Sequence, residues 1–407
     1  MLQQASWRGP GGEASKGAQK GFIGAACGRR PCAPALRTRA SRYAMGTRGA
    51  AARELHLERL LRVGTCLAES GFGAQVGQLA ACARALRADA QLWAAHARHR
   101  GPAGRTVLMH AAKTGNVERI QFLVVRGADV EAATTAAVQG CGFAAGTAVL
   151  MLACKEGHCE AVRSLVEGGG ANANAARNAD GKTALMWASQ EGHLETVRFL
   201  VERGGASVNA ARTDSGTTAM MIATMSGHLE TVRFLVDHGG ANVNAAQTND
   251  GFTALMWASQ NGHVEIVRFL VHHGAANVNA TQTDDGHTAL MWASQEGHLE
   301  TVRCLVERGG ANVNAARTTD GMTALIDASL SGHLETVRFL VERGGANVNA
   351  ASTDDGLTAL MCASYNGSLE MVSYLLQHGA DKNALSHAGE TAHDIAADHP
   401  LVQAALV

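Results

Sequence analysis

The sequence predicts an all-α solenoid of helix-turn-helix units joined by hairpin loops, preceded by a small helical region. Three observations lead there. Aligned on the glycine ahead of x-Thr-Ala, near-identical segments begin at Gly146, Gly181, Gly216, Gly251, Gly286, Gly321 and Gly356, always 35 residues apart. Each segment holds two short apolar stretches with helical spacing, divided by a Gly-His pair or, in the segment from Gly356, by Gly367-Ser368. Each then closes in a polar loop rich in Gly, Asn and Ala. Self-similarity at this period marks a stacked repeat architecture. A single unit cannot bury its apolar face, whereas stacked neighbours bury a continuous core.

Residues 1–50 stand apart by charge. They hold nine of the 35 Lys and Arg but only one of the 36 acids, Glu13. The rest of the chain is left at a net charge of about −9 by the same count, although the whole carries −1. Such asymmetry reads as an organellar address, a disordered tail, or upstream sequence ahead of a start at Met45. The nine cysteines are odd in number and form no Cys-x-x-Cys pair. Reduced thiols and a cytoplasmic or nuclear location are therefore expected. No apolar run approaches the roughly 18–20 residues of a membrane span.

Residues 51–100 show a different pattern. Leu57, Leu60, Leu61, Val63 and Leu67 make one apolar helical face. After a Gly-containing break come Leu79, Cys82, Leu86 and the pair Leu92–Trp93. Over residues 55–93 this resembles an F-box, with Leu55-His56 where that family has Leu-Pro. The resemblance implies docking on the adaptor of a cullin-type ubiquitin ligase through Leu57, Leu60, Leu61, Leu67 and Trp93. The alternative is a degenerate first unit that caps the array.

From residue 101 to 407 the array is read unit by unit. In Thr183–Val208, Thr183 caps a short first helix of small and apolar residues, Leu185 and Met186 among them. Gly192 ends that helix in a left-handed turn. His193 opens a second helix, whose Leu194, Val197, Leu200 and Val201 share one face. Gly204–Gly205 stop it, and the loop to Gly216 is full of turn formers. A first copy starts at Gly104, lengthened by a Gly/Ala-rich insertion before Gly146. A ninth, shortened copy starts at Gly389 and ends in polar residues that suit a terminal cap.

The unit G-x-T-A-L-x-x-A-S-x-x-G-H-L-E-x-V-x-x-L-V-x-x-G, followed by G-A-N-V-N-A, resembles the ankyrin repeat over about residues 102–407. It departs from that family in its period, which is usually 33, and in reading Thr-Ala-Leu-Met, Thr183–Met186, for the family's Thr-Pro-Leu-His. Longer hairpins and less rigid helix starts are the expected consequences. The resemblance implies about eight repeats plus a cap, and a non-enzymatic scaffold that binds a protein on its concave face.

Candidate chemistry is sparse. Gly181-Lys182-Thr183 looks like the end of a phosphate loop, but the required earlier glycine is Ala176 and the lysine position varies from unit to unit. His158, His193, His228, His263, His298 and His333 form a column. Equivalent residues in stacked helices lie roughly 8–10 Å apart, too far to share a zinc ion through like rotamers. They are expected to open the second helices. Trp187, Trp257 and Trp292 are expected to pack between units, and the Glu230/Arg233 type of pair to lie on a solvated helix face. No catalytic, metal or cofactor set emerges, and nothing points to nucleic acid.

The units differ in two places. The residue after the aligned glycine reads Lys182, Thr217, Phe252, His287, Met322, Leu357, and the pair before the first-helix glycine changes as well. In the ankyrin family these positions line the binding face. Met225, Phe252, Met322, Leu330, Leu357 and Tyr365 are thus expected to be exposed apolar contacts for a protein partner. Asp327, standing where other units have Trp, joins them. Met322, Leu330, Leu357 and Tyr365 are expected to form one patch across the seventh and eighth units. Drift after recent duplication is the alternative. A ubiquitin-ligase substrate receptor is the competing function.

Overall fold

The computed structural model describes residues 102–135 and 145–407, with residues 95, 99 and 100. All of these lie in one compact unit, Ala83–Val407. Residues 1–50 and the F-box-like Leu57, Leu60, Leu61, Leu67 and Trp93 lie outside the described residues.

The described residues form eighteen α-helices and no strand. They pair in chain order: α1 (Val107–Lys113) with α2 (Val117–Val125), α3 (Val149–Lys155) with α4 (Cys159–Arg163), α5 (Ala184–Gln190) with α6 (Leu194–Glu202) and α7 (Ala219–Met225) with α8 (Leu229–Asp237). Next come α9 (Ala254–Gln260) with α10 (Val264–His272), α11 (Ala289–Gln295) with α12 (Leu299–Arg303) and α13 (Ala324–Leu330) with α14 (Leu334–Glu342). The last pairs are α15 (Ala359–Tyr365) with α16 (Leu369–Gln377) and α17 (Ala392–Ile395) with α18 (Pro400–Leu406). α4 and α12 continue into π-helical turns, Ser164–Gly168 and Cys304–Arg308. Each first helix packs against the first helices of the adjacent units and against its own second helix, the architecture of a helical solenoid. None of the described helices is long and apolar enough to cross a membrane.

The local causes are those read in the sequence. Thr183, Thr218, Thr253, Thr288, Thr323 and Thr358 each accept an N–H from the first turn of the helix they precede. Isolated bridges such as Ala176 with Thr183 close the base of each hairpin. The helices then bury Leu185, Met186, Val197 and Leu200 and their counterparts almost completely. At about 1.5–3 kcal/mol per large side chain, this burial is the main stabilising term.

Three polar rows fasten each unit to the next. The first is the histidine column. His193 Nε2 lies 3.0 Å from the carbonyl of Lys155, and His228 Nε2 lies 2.9 Å from that of Gln190. A carbonyl only accepts, so Nε2 carries the proton. The histidines do open the second helices, and each also bonds across the unit boundary. The second row is a ladder of asparagines. Asn174 donates to the Gly205 carbonyl (2.9 Å) and accepts from the Ser207 N–H (2.7 Å). Asn209, Asn244, Asn279, Asn314 and Asn349 repeat the arrangement. The third joins hairpin to hairpin: the Thr213 N–H meets the Asp180 carbonyl at 3.0 Å, and the Thr283 N–H meets that of Asp250 at 2.9 Å.

On the second helices, Glu230 and Arg233 approach only to 3.9 Å with both side chains about half exposed or more, a weak pair. The arginines instead lie over the aromatic ring of the next unit, Arg198 over Phe234 at 4.8 Å and Arg233 over Phe269 at 5.6 Å. The array closes polar. His393 and Asp394 stand where the third unit buries Leu185 and Met186, and their side chains are 43% and 55% exposed.

Candidate partner-binding face

The first helices end in a register column that reads Lys113, Lys155, Gln190, Met225, Gln260, Gln295, Leu330 and Tyr365. Three of these are exposed apolar side chains: Met225 at 36%, Leu330 at 43% and Tyr365 at 55%. Leu330 and Tyr365 end the adjacent helices α13 and α15. Those ends are tied together by Asn366, whose amide donates to the carbonyls of Leu330 (2.6 Å) and Ser329 (3.1 Å). The exposure expected of these three residues is therefore present, and two of them are neighbours.

The residue after the aligned glycine behaves otherwise. Phe252 is buried to 5% exposure, not presented at a hairpin tip. Its ring packs on Trp257 (centroids 4.3 Å apart) and on Trp292 of the next unit (5.4 Å). Lys182, Thr217 and His287 are buried too, and Met322 and Leu357 are half-buried against neighbouring residues. Where the residue five positions on is a tryptophan, the side chain leaving the hairpin folds back over its ring: Lys182 over Trp187, Phe252 on Trp257 and His287 on Trp292, with the last two rings 4.6 Å apart. Trp187, Trp257 and Trp292 are half-buried between units, as their position predicted. The four-residue patch thus reduces to Leu330 and Tyr365 as its exposed members, with Met322 and Leu357 half-buried.

Asp327 is also buried, at 3% exposure. It accepts from Arg317 Nη2 at 2.9 Å, and its other oxygen has no hydrogen-bond partner. Burial pushes its carboxyl up to about 7, against the opposing pull of Arg317. Arg317 also lies 3.3 Å from His287, whose Nδ1 meets Asp285 at 2.5 Å. Burial, then Arg317, hold the His287 imidazolium below its ordinary range. Asp327 is thus not the exposed partner contact that its place in the repeat suggests. Its environment makes it part of an internal ionic cluster.

A second cluster surrounds Trp187. The Lys182 ammonium sits 3.4 Å from the ring centroid, with Lys155 at 5.1 Å and Arg177 at 5.9 Å. Asp180 pairs with Arg177 and lies 3.4 Å from Arg212. Lys182 has no carboxylate within ion-pair distance among the described residues and donates to the Gln190 amide oxygen. Burial, with Arg212 and Arg177 nearby, brings its pKa down to about 8.

Sequence reasoning treated Lys182 as a variable loop residue and passed over Arg177, Gln282 and Arg317. A signal was present. The residue ten before the Trp position reaches it in space: Trp292 Nε1 donates to Gln282 at 3.0 Å, and Arg317 reaches Asp327.

A family model described as ankyrin repeats (3 copies) matches residues 108–212, 207–282, 275–352 and 345–406. A comparison with curated proteins found no match.

Proposed function

Since the chain belongs to the ankyrin-repeat family, a protein–protein interaction module that is generally non-enzymatic, we propose that it is a scaffold that binds a protein partner along the face formed by its first-helix ends. Leu330 and Tyr365 are the anchor. One observation carries the reading. At a position held by Lys or Gln in five of the eight full units, adjacent units seven and eight place Leu330 and Tyr365, 43% and 55% exposed. Large apolar groups presented together mark interaction sites, and a few such residues dominate interface energy. Met225 in the fourth unit is a separate apolar contact. Phe252, Met322, Leu357 and Asp327 act from below, by shaping the surface and not by touching the partner.

The test is capture of partners by the full chain and by a Leu330→Gln, Tyr365→Gln double variant, which carries the residue found in units three, five and six. Partner recovery should fall at least tenfold, about 1.4 kcal/mol. The thermal midpoint should hardly move, because exposed substitutions usually stay within about 0.5 kcal/mol. Equal recovery with an intact fold would place the site elsewhere.

The F-box-like pattern of residues 55–93 supports a second reading, a ubiquitin-ligase substrate receptor. Adaptor co-purification that is abolished by Leu60→Asp with Leu61→Asp would support it. Absence of adaptor from the wild-type complex would remove it.

A further inference from the structure

The exposed apolar pair lies in the most acidic stretch of the array. Residues 286–407 hold fourteen Asp and Glu against six Lys and Arg, and so account for −8 of the −9 carried by residues 51–407. All of these acids but Asp327 reach the surface. The edge where Leu330 and Tyr365 sit follows the same trend. Leu369, exposed at the start of α16, extends the apolar surface past the turn that follows Tyr365. On one side Glu296 follows Gln295 at the end of α11, in the sixth unit. On the other, in the ninth, stands Asp398. It precedes His399, whose Nε2 donates to the Tyr365 carbonyl at 3.1 Å. Both carboxylates are exposed, and neither has an ion-pair partner among the described residues. The nearby cations are engaged. Arg338 is shared by Glu335 and Glu370, at 3.5 and 2.8 Å. Arg317 is held by Asp320 and the buried Asp327, and Lys382 donates to the Val407 carbonyl at 2.6 Å. In the eighth unit Ser373 stands where the second helices of units two to seven have arginine.

We infer that the partner presents a basic segment with an apolar centre. A large apolar residue seats on Leu330, Tyr365 and Leu369, and Lys or Arg on either side of it face Glu296 and Asp398. This rests on the anchor reading given above and adds the chemistry of the ligand. An apolar residue on that surface displaces water and brings its flanks beside the two carboxylates. Basic flanks are attracted, the more so as water leaves, and acidic flanks are repelled. The same negative field disfavours nucleic acid and anionic membrane surfaces. Stacked helices sit roughly 8–10 Å apart, so the sixth and ninth units are separated by roughly 24–30 Å. An extended chain rising about 3.3 Å per residue covers that in about seven to nine residues.

The test uses the full chain and a displayed library of random 16-residue peptides, with enriched peptides remeasured in solution by fluorescence anisotropy. Enriched peptides should carry Leu, Ile, Phe, Met or Trp between Lys or Arg residues set about seven to nine positions apart. Two double variants change exposed side chains only and so keep the fold: Glu296→Lys with Asp398→Lys, and Leu330→Gln with Tyr365→Gln. Each should weaken the same peptides at least tenfold at low salt. For the charge variant that difference should narrow near 1 M salt, where screening acts within about 3 Å. Peptides that need Leu330 and Tyr365 but carry no Lys or Arg, or that bind the charge variant as tightly as the wild type, overturn this inference and leave the anchor reading standing. Basic peptides indifferent to the Leu330/Tyr365 variant overturn the anchor reading and this inference with it. A library that enriches nothing counts against both.

Discussion

Arg317 reaches Asp327, ten residues further along the chain, at 2.9 Å, at the position where Trp187, Trp257 and Trp292 stand in other units. The pair is buried with His287, Asp285 and Asp320 around it, and Cys362 lies on the next helix. An unfolded aspartate releases its proton near 3.8, and burial holds that of Asp327 to about 7. From about pH 4 to pH 7 the folded chain therefore binds more protons, and this residue lowers stability as pH rises. His287, with its imidazolium disfavoured, works in the opposite sense as pH falls below its ordinary value. Subtracting an Asp327→Asn variant from the wild type isolates the aspartate. Hydrogen exchange over α13 should show wild type losing protection relative to the variant between pH 5 and about 7.5. An unchanged difference would mean that Asp327 does not titrate near 7 in the folded chain.

Gly192 and Gly205 make a matched pair. Both are left-handed, with φ of +71° and +66°. A side chain at either costs about 1–2 kcal/mol. A Cβ at Gly205 meets nothing, but at Gly192 it would lie 2.5 Å from the His228 ring. Gly192→Ala should thus lower the denaturation midpoint clearly more than Gly205→Ala. The excess should shrink in a His228→Ala background, where the clash is gone.

Asn244 bonds across a unit boundary twice, to the Ala275 carbonyl at 3.2 Å and from the Asn277 N–H at 2.7 Å. Both bonds are exposed, so Asn244→Ala should cost about 1–3 kcal/mol in total. Asn244→Asp keeps the acceptor and should cost less. Exchange rates should rise in the loops 239–244 and 274–279 and stay near wild type in the first and last units.

Leu200 is fully buried. Leu200→Ala should cost about 2–5 kcal/mol. Because each unit touches only its neighbours, α4 to α8 should lose protection before the rest of the array. Uniform deprotection from end to end would contradict a nearest-neighbour solenoid.

The period, the two helices per unit, the capping threonines and the left-handed glycines could all be read from the chain alone. Each rests on a local rule: Thr183 caps the helix after it, Gly192 turns because glycine adopts φ of +71° without steric cost, and Val197 and Leu200 share a face by helical spacing. Exposure of Leu330 and Tyr365 was legible too, because the last residue of each short first helix lies beside the turn and is nowhere fully buried among the eight full units. Where Phe252, His287, Asp327 and Lys182 lie was set by packing between units. Their burial depends on residues five and ten positions away in the chain and on the adjacent unit, as when Phe252 packs on Trp292. The histidine and asparagine bonds across unit boundaries were hidden for the same reason. Their partners are backbone groups, a carbonyl that every residue has and an N–H that every residue but proline has, and no sequence pattern can mark them.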